Sequence, residues 1–117
     1  STMEQILNYL KGIELTDNDK ELYNELLNLY LTETKFDVKF LNELILKSKE
    51  EAASYIHRIK GASRQIAAEK LALKGQQLED VLKNKTNESL PLLINDFCKI
   101  YNDTINEIKK HQSNLNN

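Results

Sequence analysis

Residues 52–71 have the sequence AASYIHRIKGASRQIAAEKL, and this stretch decides the predicted fold. Apolar and small residues recur in it at three- and four-residue steps, the spacing of one face of an α-helix. These residues are Ala52, Ile56, Ile59, Ser63 and Ile66. We therefore predict a helix whose apolar face packs inward against other helices.

His57 lies well around the same predicted helix from this apolar face. Its neighbours at helical spacing are Ala53, Lys60, Gly61 and Arg64. The pattern predicts an outward row that carries a small residue, an imidazole, a cation, a residue without a side chain and a second cation.

Three members of this row suit the chemistry of a phosphoryl group. An imidazole is partly neutral at working pH, and the neutral ring of His57 can act as a nucleophile through one nitrogen. Lys60 and Arg64 can offset the charge of a bound phosphoryl group by charge-assisted hydrogen bonds. Gly61 costs the helix about 1 kcal/mol relative to alanine, but it leaves the space beside the imidazole open to a partner. The conjunction of these residues, rather than any one of them, predicts a functional site.

The rest of the chain predicts an all-α protein. Only three glycines and one proline occur in 117 residues, and helix-forming Leu, Lys, Glu and Ala are abundant. We predict a short helix over residues 3–11, ended by Gly12, and then helices over residues 18–46, 49–64 and 67–83. A last helix begins near Pro91, after a polar loop over residues 84–89. Four long helices with short connections favour an antiparallel up-and-down four-helix bundle with a short N-terminal helix.

Details of these helices can also be predicted. Ser48 is expected to cap the helix that carries His57, and Gly75 is expected to mark a close helix crossing. Apolar side chains follow one face of the long helix over 18–46 and one face of the last helix. In the long helix they are Leu22, Leu26, Leu29, Phe36, Phe40 and Leu44, and in the last helix they are Leu93, Phe97, Ile100, Tyr101, Thr104 and Ile108.

The length suggests one domain, which we place at residues 3–113. Ser1 and Thr2 precede Met3 and are expected to be a cloning remnant, which slightly favours a domain excised from a longer protein. Residues 114–117 are expected to form a frayed polar tail.

Composition and charge exclude several classes of function. The net charge is −2, with 16 basic residues interleaved among 18 acidic ones, so no nucleic-acid partner is expected. A single cysteine, Cys98, excludes a disulfide framework, and the apolar runs are too short to span a membrane. His57, Cys98 and His111 lie in three separate segments without ligand spacing, so neither a metal nor another cofactor is expected.

Over residues 57–71, the sequence resembles the histidine phosphotransfer (HPt) domain family. The family pattern is His-x-Leu-Lys-Gly-x-Ser, then a hydrophobic residue, Gly-Ala, and a leucine three residues on. Residues 57–63 have the sequence HRIKGAS, followed by Ile66-Ala67-Ala68 and Leu71, and the later Leu78-Glu79 looks like the family's Leu-Glu pair. In two departures, Ile59 replaces leucine, and Ala67 replaces a glycine. Because alanine disfavours a left-handed backbone, we expect the turn at Ala67 to differ from the family's.

The resemblance implies a phosphorelay intermediate rather than a kinase. His57 would take a phosphoryl group from a phosphoaspartate of one receiver domain and pass it to an aspartate of another. Lys60 would stabilise the phosphoryl oxygens, Gly61 would give the partner access, and Arg64 would support docking. Either Glu79 or Gln76 would accept a hydrogen bond from the second ring nitrogen. Magnesium would belong to the receiver.

The same resemblance leaves the setting of the domain partly open. We expect a cytoplasmic monomer, either free-standing or the C-terminal domain of a membrane hybrid sensor kinase. The direction of phosphate flow and the identity of the receivers stay open.

Three alternatives remain beside this interpretation. The first is a non-catalytic helical-bundle interaction module, a degenerate member of the same family, and an intact His57, Lys60 and Gly61 argue against it. The second is a small helical enzyme that uses His57 as an acid–base group, but no second titratable partner has a convincing spacing. The third is a kinase dimerisation domain, which typically has an acidic residue directly after the histidine, where this chain has Arg58.

Overall fold

The structure is a computed structural model that describes residues 5–115 of the chain. It contains six helices, and the described residues include no strand. The helices are α1 (Tyr9–Leu15), α2 (Lys20–Glu33), α3 (Val38–Lys47), α4 (Lys49–Gln65), α5 (Glu69–Leu82) and α6 (Leu90–Leu115). None of these described helices is long and apolar enough to cross a lipid bilayer. The all-α prediction is therefore confirmed.

Helices α4 and α5 form the closest pair in the bundle, and α6 packs against α5. Contacts along α4 and α5 run in opposite directions, since His57 contacts Glu79 and Lys60 contacts Gln76. Helices α2 and α6 are antiparallel as well, because Asn24 lies beside His111 and Thr34 lies beside Tyr101. The complete up-and-down order of four helices stays a prediction.

The face assignments for α4 and α6 are confirmed. All five inward residues predicted for residues 52–66 are buried, and so are all six predicted for the last helix. The prediction for Ser48 is confirmed too, since its hydroxyl accepts a hydrogen bond from the Glu51 amide at 3.2 Å. Pro91 lies in the first turn of α6, where its missing amide proton has no partner to lose.

The prediction of one long helix over residues 18–46 is wrong. The chain leaves the helical conformation between α2 and α3, at residues 34–37. Phe36 is partly buried and packs against the core there, with its ring centroid 4.9 Å from that of Phe97 and 5.6 Å from that of Tyr101. Asp37 then caps α3 by accepting a hydrogen bond from the Lys39 amide at 2.9 Å. Aromatic packing and a new N-cap outweigh the helix propensity of these residues.

The apolar face predicted for residues 18–46 is wrong for half of its members, since Leu26, Phe36 and Leu44 are partly buried against the core. Leu22, Leu29 and Phe40 are exposed. The buried residues of α2 and α3 are Tyr23, Leu27, Tyr30 and Leu41. Two tyrosines can turn inward because their hydroxyls have partners: that of Tyr23 donates to the Ile66 carbonyl at 2.8 Å, and that of Tyr30 bonds to the Ser63 hydroxyl at 2.9 Å.

The N-terminal helix lies later in the chain than predicted. Residues 5–8 are not helical, residues 1–4 lie outside the described residues, and α1 begins after the Asn8 cap. Gly12 does not end this helix but lies buried within it. An added Cβ would lie 2.5 Å from Cζ and 2.8 Å from the hydroxyl oxygen of Tyr23. Glycine is needed here for a close approach rather than as a helix breaker.

The two remaining helix boundaries differ slightly from the prediction. Ala67 has a φ of 60°, which is a left-handed backbone conformation. The expectation that alanine would avoid this conformation at the turn is therefore wrong. The amides of Ala67 and Ala68 bond to carbonyls of the last turn of α4, which closes the helix end despite the strain on alanine. Helix α6 extends to Leu115, so the first two residues assigned to the polar tail are helical. Residues 116 and 117 lie outside the described residues, as do Ser1 and Thr2.

Two glycine-to-alanine substitutions are expected to change stability in opposite directions. Gly12→Ala would push a methyl group into the buried Tyr23 ring, and we expect it to lower the free energy of unfolding by about 1–3 kcal/mol. Gly61→Ala places its methyl group in open space on an exposed helix, and we expect a gain of about 1 kcal/mol. Urea denaturation of both variants checks this. A higher free energy of unfolding in Gly12→Ala would contradict this expectation and show that the Tyr23 ring can move to make room for the methyl group.

Candidate functional site

His57 lies on the outer face of α4, and 62% of its side chain is exposed. The buried Ile56 and Ile59 on the opposite face fix the rotation of the helix, so the imidazole cannot turn inward. Its Nδ1 atom lies 3.1 Å from Oε1 and 3.3 Å from Oε2 of Glu79 on α5. Among residues 5–115, no group forms a hydrogen bond with Nε2. Because Nδ1 is turned to the buried Glu79 and most of the side chain is exposed, Nε2 lies on the outward side of the ring.

Glu79 is the centre of the site, and it is only 3% exposed. Its Oε1 atom accepts a hydrogen bond from Nζ of Lys60 at 2.8 Å, and its Oε2 atom accepts one from Nζ of Lys83 at 2.7 Å. Burial alone would raise the pKa of this carboxyl group. The hydrogen bonds from Lys60, Lys83 and His57 outweigh burial and lower the pKa to about 2. Glu79 is therefore ionised at neutral pH.

The negative charge of Glu79 determines which ring nitrogen of His57 carries the proton. An ionised carboxylate only accepts hydrogen bonds, so Nδ1 of His57 must be the donor. In the neutral ring, the lone pair then lies on Nε2, the nitrogen that faces outward. The resemblance implies that either Glu79 or Gln76, both on α5, accepts a hydrogen bond from the imidazole. The structure places Glu79 there, while Gln76 accepts a hydrogen bond from Lys60 at 2.8 Å.

Lys60 is buried, so its predicted place in the outward row is wrong. It is 4% exposed, and its ammonium group lies between Glu79 and Gln76. Gly75 explains the burial, since a Cβ at this position would lie 3.3 Å from Cβ of Lys60. Helix α5 therefore approaches α4 closely enough to cover the lysine stem. Ala53, which the same row included, is also buried.

Gly61 and Arg64 are exposed on the same side of α4 as His57. A Cβ at Gly61 would meet no atom within 4 Å, so the surface next to the imidazole is open. Arg64 does not join the cluster around Glu79. It lines a separate groove together with Lys11 and Leu15.

The sequence interpretation missed Lys83. This lysine lines a surface cavity of about 360 Å³ together with Ala53, Ser54, His57 and Arg58. It is the exposed cation nearest to the carboxylate that holds the imidazole, with 43% of its side chain exposed. A signal was present, because Glu79 and Lys83 are four residues apart on one helix, the spacing of a stabilising ion pair. In the described part of the chain, no three His, Cys, Asp or Glu residues are grouped so that they could hold a metal ion.

The site is an outward imidazole on an all-α bundle, held at one nitrogen by a buried carboxylate. A family model described as Hpt domain matches residues 25–111, which is more than half of the chain. The chain belongs to the Hpt domain family. Comparison with curated proteins gave no significant match, and neither did comparison with solved structures. Hpt domains are phosphotransfer intermediates rather than kinases, and they interact with receiver domains in phosphorelays.

Helix α1 and the first turn of α2 lie outside the matched range. They nevertheless belong to the same folded unit. The Asn8 amide donates to the Ala67 carbonyl at 3.1 Å, and Lys11 forms an ion pair with Glu69 at the start of α5. The hydroxyl of Tyr9 donates to Glu107 of α6 at 3.0 Å. This N-terminal segment therefore closes the end of the bundle at which α4 turns into α5.

The lowered pKa of Glu79 predicts a specific acid sensitivity. Its ionised form is favoured in the folded state, so its contribution is complete above about pH 4.5 and is lost as the pH falls toward about 2. We expect this group to account for roughly 2–3 kcal/mol of unfolding free energy across that range. Glu79→Gln should remove the corresponding part of the pH dependence, measured by urea denaturation at several pH values.

A matched control is Glu88→Gln, which removes an exposed carboxylate in the loop before α6. It should leave the slope of stability against pH close to that of the wild type. Equal slopes for wild type and Glu79→Gln would contradict the argument that Glu79 is ionised in a buried site.

Proposed function

We propose that this domain accepts a phosphoryl group on Nε2 of His57 from the phosphoaspartate of one receiver domain and relays it to an aspartate of a second receiver. One observation carries the proposal: the buried, ionised Glu79 holds Nδ1 and leaves the lone pair of the exposed Nε2 outward. Membership of the Hpt domain family supports the same chemistry.

The proposed relay has two balanced steps. The Nε2 lone pair attacks the phosphorus atom of the acyl phosphate, a P–N bond forms, the P–O bond breaks, and the carboxylate of the first receiver leaves. Nδ1 keeps its proton in the hydrogen bond to Glu79, so the positive charge that develops on the ring lies beside a carboxylate. In the second step, a carboxylate of the other receiver attacks phosphorus, and the P–N electron pair returns to Nε2.

The two lysines of the cluster have different roles in this proposal. Lys60 is buried and already bonded to Glu79 and Gln76, so it positions the carboxylate and acts on the phosphoryl group through its charge rather than by contact. Lys83 is partly exposed at the cavity beside His57, so its ammonium group can turn from Glu79 toward phosphoryl oxygens. Gly61 leaves space for the receiver next to His57. Arg64 supports docking of the receiver outside the cluster around Glu79.

The setting of the domain follows from the same proposal. It needs no cofactor of its own, since the magnesium ion is supplied by the receiver. Positioning and charge neutralisation then supply most of the catalysis. We propose a cytoplasmic monomer that serves a phosphorelay, either free-standing or as the C-terminal domain of a hybrid sensor kinase.

Intact-protein mass spectrometry tests the site of phosphorylation. The protein is incubated with receiver domains phosphorylated by acetyl phosphate in the presence of Mg²⁺. We expect wild type to gain a single phosphoryl group that is labile in acid and stable in alkali, as a P–N bond requires. His57→Gln should gain none, whereas His111→Gln, which removes the only other histidine, should gain one as wild type does.

A phosphoryl group on wild type that persists in His57→Gln would refute the assignment of the acceptor. No added mass on wild type with any receiver tested would favour a non-catalytic interaction module, in which the histidine is an inherited remnant.

Gly61→Gln tests the role of open space beside the imidazole. We expect it to fold normally, because nothing lies within 4 Å of an added Cβ, but to slow transfer from a receiver at least about tenfold by obstructing its approach. Stopped-flow or quench kinetics measure the transfer, with Gly61→Ala as the control for helix propensity alone. Transfer at the wild-type rate in Gly61→Gln would mean that the receiver does not cover this position.

A further inference from the structure

The cavity beside His57 extends from the imidazole toward the N-terminal end of α4. Its volume is about 360 Å³, and Ala53, Ser54, Arg58 and Lys83 line it together with the imidazole. Ser54 lies three residues before His57 and four before Arg58, so on the helix it neighbours both. Lys83 reaches the cavity from the C-terminal end of α5. Since one water molecule takes up about 30 Å³, the cavity has room for a phosphoryl group and several waters.

The charges that line this cavity favour an anion. They are two cations, and no carboxylate lines the cavity. Glu79 lies next to the imidazole, but it is buried and already bonded to two ammonium groups. Glu50 and Glu51 line a separate groove with Arg58, and Glu33 lines a third hollow with it. These three carboxylates weaken the positive potential around Arg58 from outside the cavity, while the cavity itself suits a phosphoryl group with its charge of about −2.

Arg58 is the cation of this cavity that can turn most readily to a new anion. Its side chain is exposed and lines three separate surface cavities. Among residues 5–115, no carboxylate forms an ion pair with it. Lys83, in contrast, must leave Glu79 at 2.7 Å before it reaches a phosphoryl group. The planar guanidinium also offers paired N–H donors that match phosphoryl oxygens, whereas an ammonium group is a point charge.

We propose that this cavity holds the phosphoryl group carried by Nε2 of His57, with the Arg58 guanidinium and the Ser54 hydroxyl donating hydrogen bonds to its oxygens. This inference rests on the proposed function and deepens it. It makes Arg58 a catalytic residue, and it turns the phosphoryl group toward the N-terminal end of α4, away from Gly61. The same contacts are available to a small phosphorylated donor, so the cavity takes a phosphoryl group without a receiver.

Phosphoramidate tests the cavity, because a donor of this size makes no use of a receiver's docking surface. The Nε2 lone pair attacks its phosphorus atom and a new P–N bond forms. The donor's own P–N bond breaks, and its protonated amino group leaves as ammonia. Intact-protein mass followed over time gives the rate at which the protein gains one phosphoryl group. His57→Gln supplies the background rate, which is subtracted.

Three cavity variants are compared with two controls. Arg58→Met removes the guanidinium, Arg58→Lys keeps the charge, and Ser54→Leu fills the cavity from an exposed position. Lys49→Met removes another exposed cation of α4, and Asn42→Leu changes an exposed polar residue of α3. Neither control residue lines the cavity. Circular dichroism and thermal unfolding establish that all five variants fold.

We expect Arg58→Met and Ser54→Leu each to slow phosphorylation by phosphoramidate at least about tenfold. The first loses charge-assisted hydrogen bonds to the phosphoryl oxygens, and the second loses the space that the group occupies. Arg58→Lys should fall between Arg58→Met and wild type, because an ammonium group keeps the charge without the paired donors. Both controls should stay within about twofold of wild type.

A wild-type rate in either Arg58→Met or Ser54→Leu would overturn the inference and leave the proposed function intact. An equal loss in Lys49→Met would trace the effect to overall charge and also overturn the role of Arg58. A wild-type protein that accepts a phosphoryl group from a receiver but none from phosphoramidate would overturn it too, since the cavity would then not hold the group unaided. Transfer to wild type from neither donor would instead refute the proposed function.

Discussion

The ion pair between Lys60 and Glu79 is the interaction on which the rest of the site depends. Both groups are almost completely buried, at 4% and 3% exposure, and each has a further polar partner. Removing two charges from water is costly, so a pair of this kind is retained only where its geometry is good and its remaining hydrogen bonds are made. Gln76, Lys83 and His57 make those bonds. The pair joins α4 to α5 and at the same time fixes the charge beside the imidazole.

The glycines show how packing divides the site into a buried and an open side. Gly75 allows α5 to approach α4, which covers the stem of Lys60 and removes it from the surface. Gly61, one residue after Lys60, has no neighbour within 4 Å and leaves the outer face bare. A single turn of α4 therefore presents a cation to the interior and open space to the outside. The imidazole lies at the boundary, with one nitrogen on each side.

In α2, hydrophobicity alone does not decide whether the leucines or the neighbouring tyrosines face the core. Tyr23 and Tyr30 turn inward because the Ile66 carbonyl and the Ser63 hydroxyl satisfy their hydroxyls. Leu22 and Leu29, one residue before each tyrosine, consequently face outward. Burying an aromatic ring removes more apolar surface from water than burying a leucine does. The exposed leucines are thus a consequence of tyrosine burial, and Leu29 lines a groove together with Ala62 and Gln65 of α4.

The sequence by itself determined the all-α class, the helix that carries His57, its buried face and the family resemblance, because local periodicity and a compact motif express all four. It limited the acceptor of the hydrogen bond from the imidazole to Glu79 or Gln76, and it predicted that Gly61 is exposed. Only the tertiary structure decided that Lys60 is buried, that Lys83 joins the site, that Tyr23 and Tyr30 are buried in place of Leu22 and Leu29, and that the chain bends at residues 34–37. These outcomes depend on which helix lies opposite each residue, and on whether a polar atom there completes a hydrogen bond. Spacing along one helix does not contain that information.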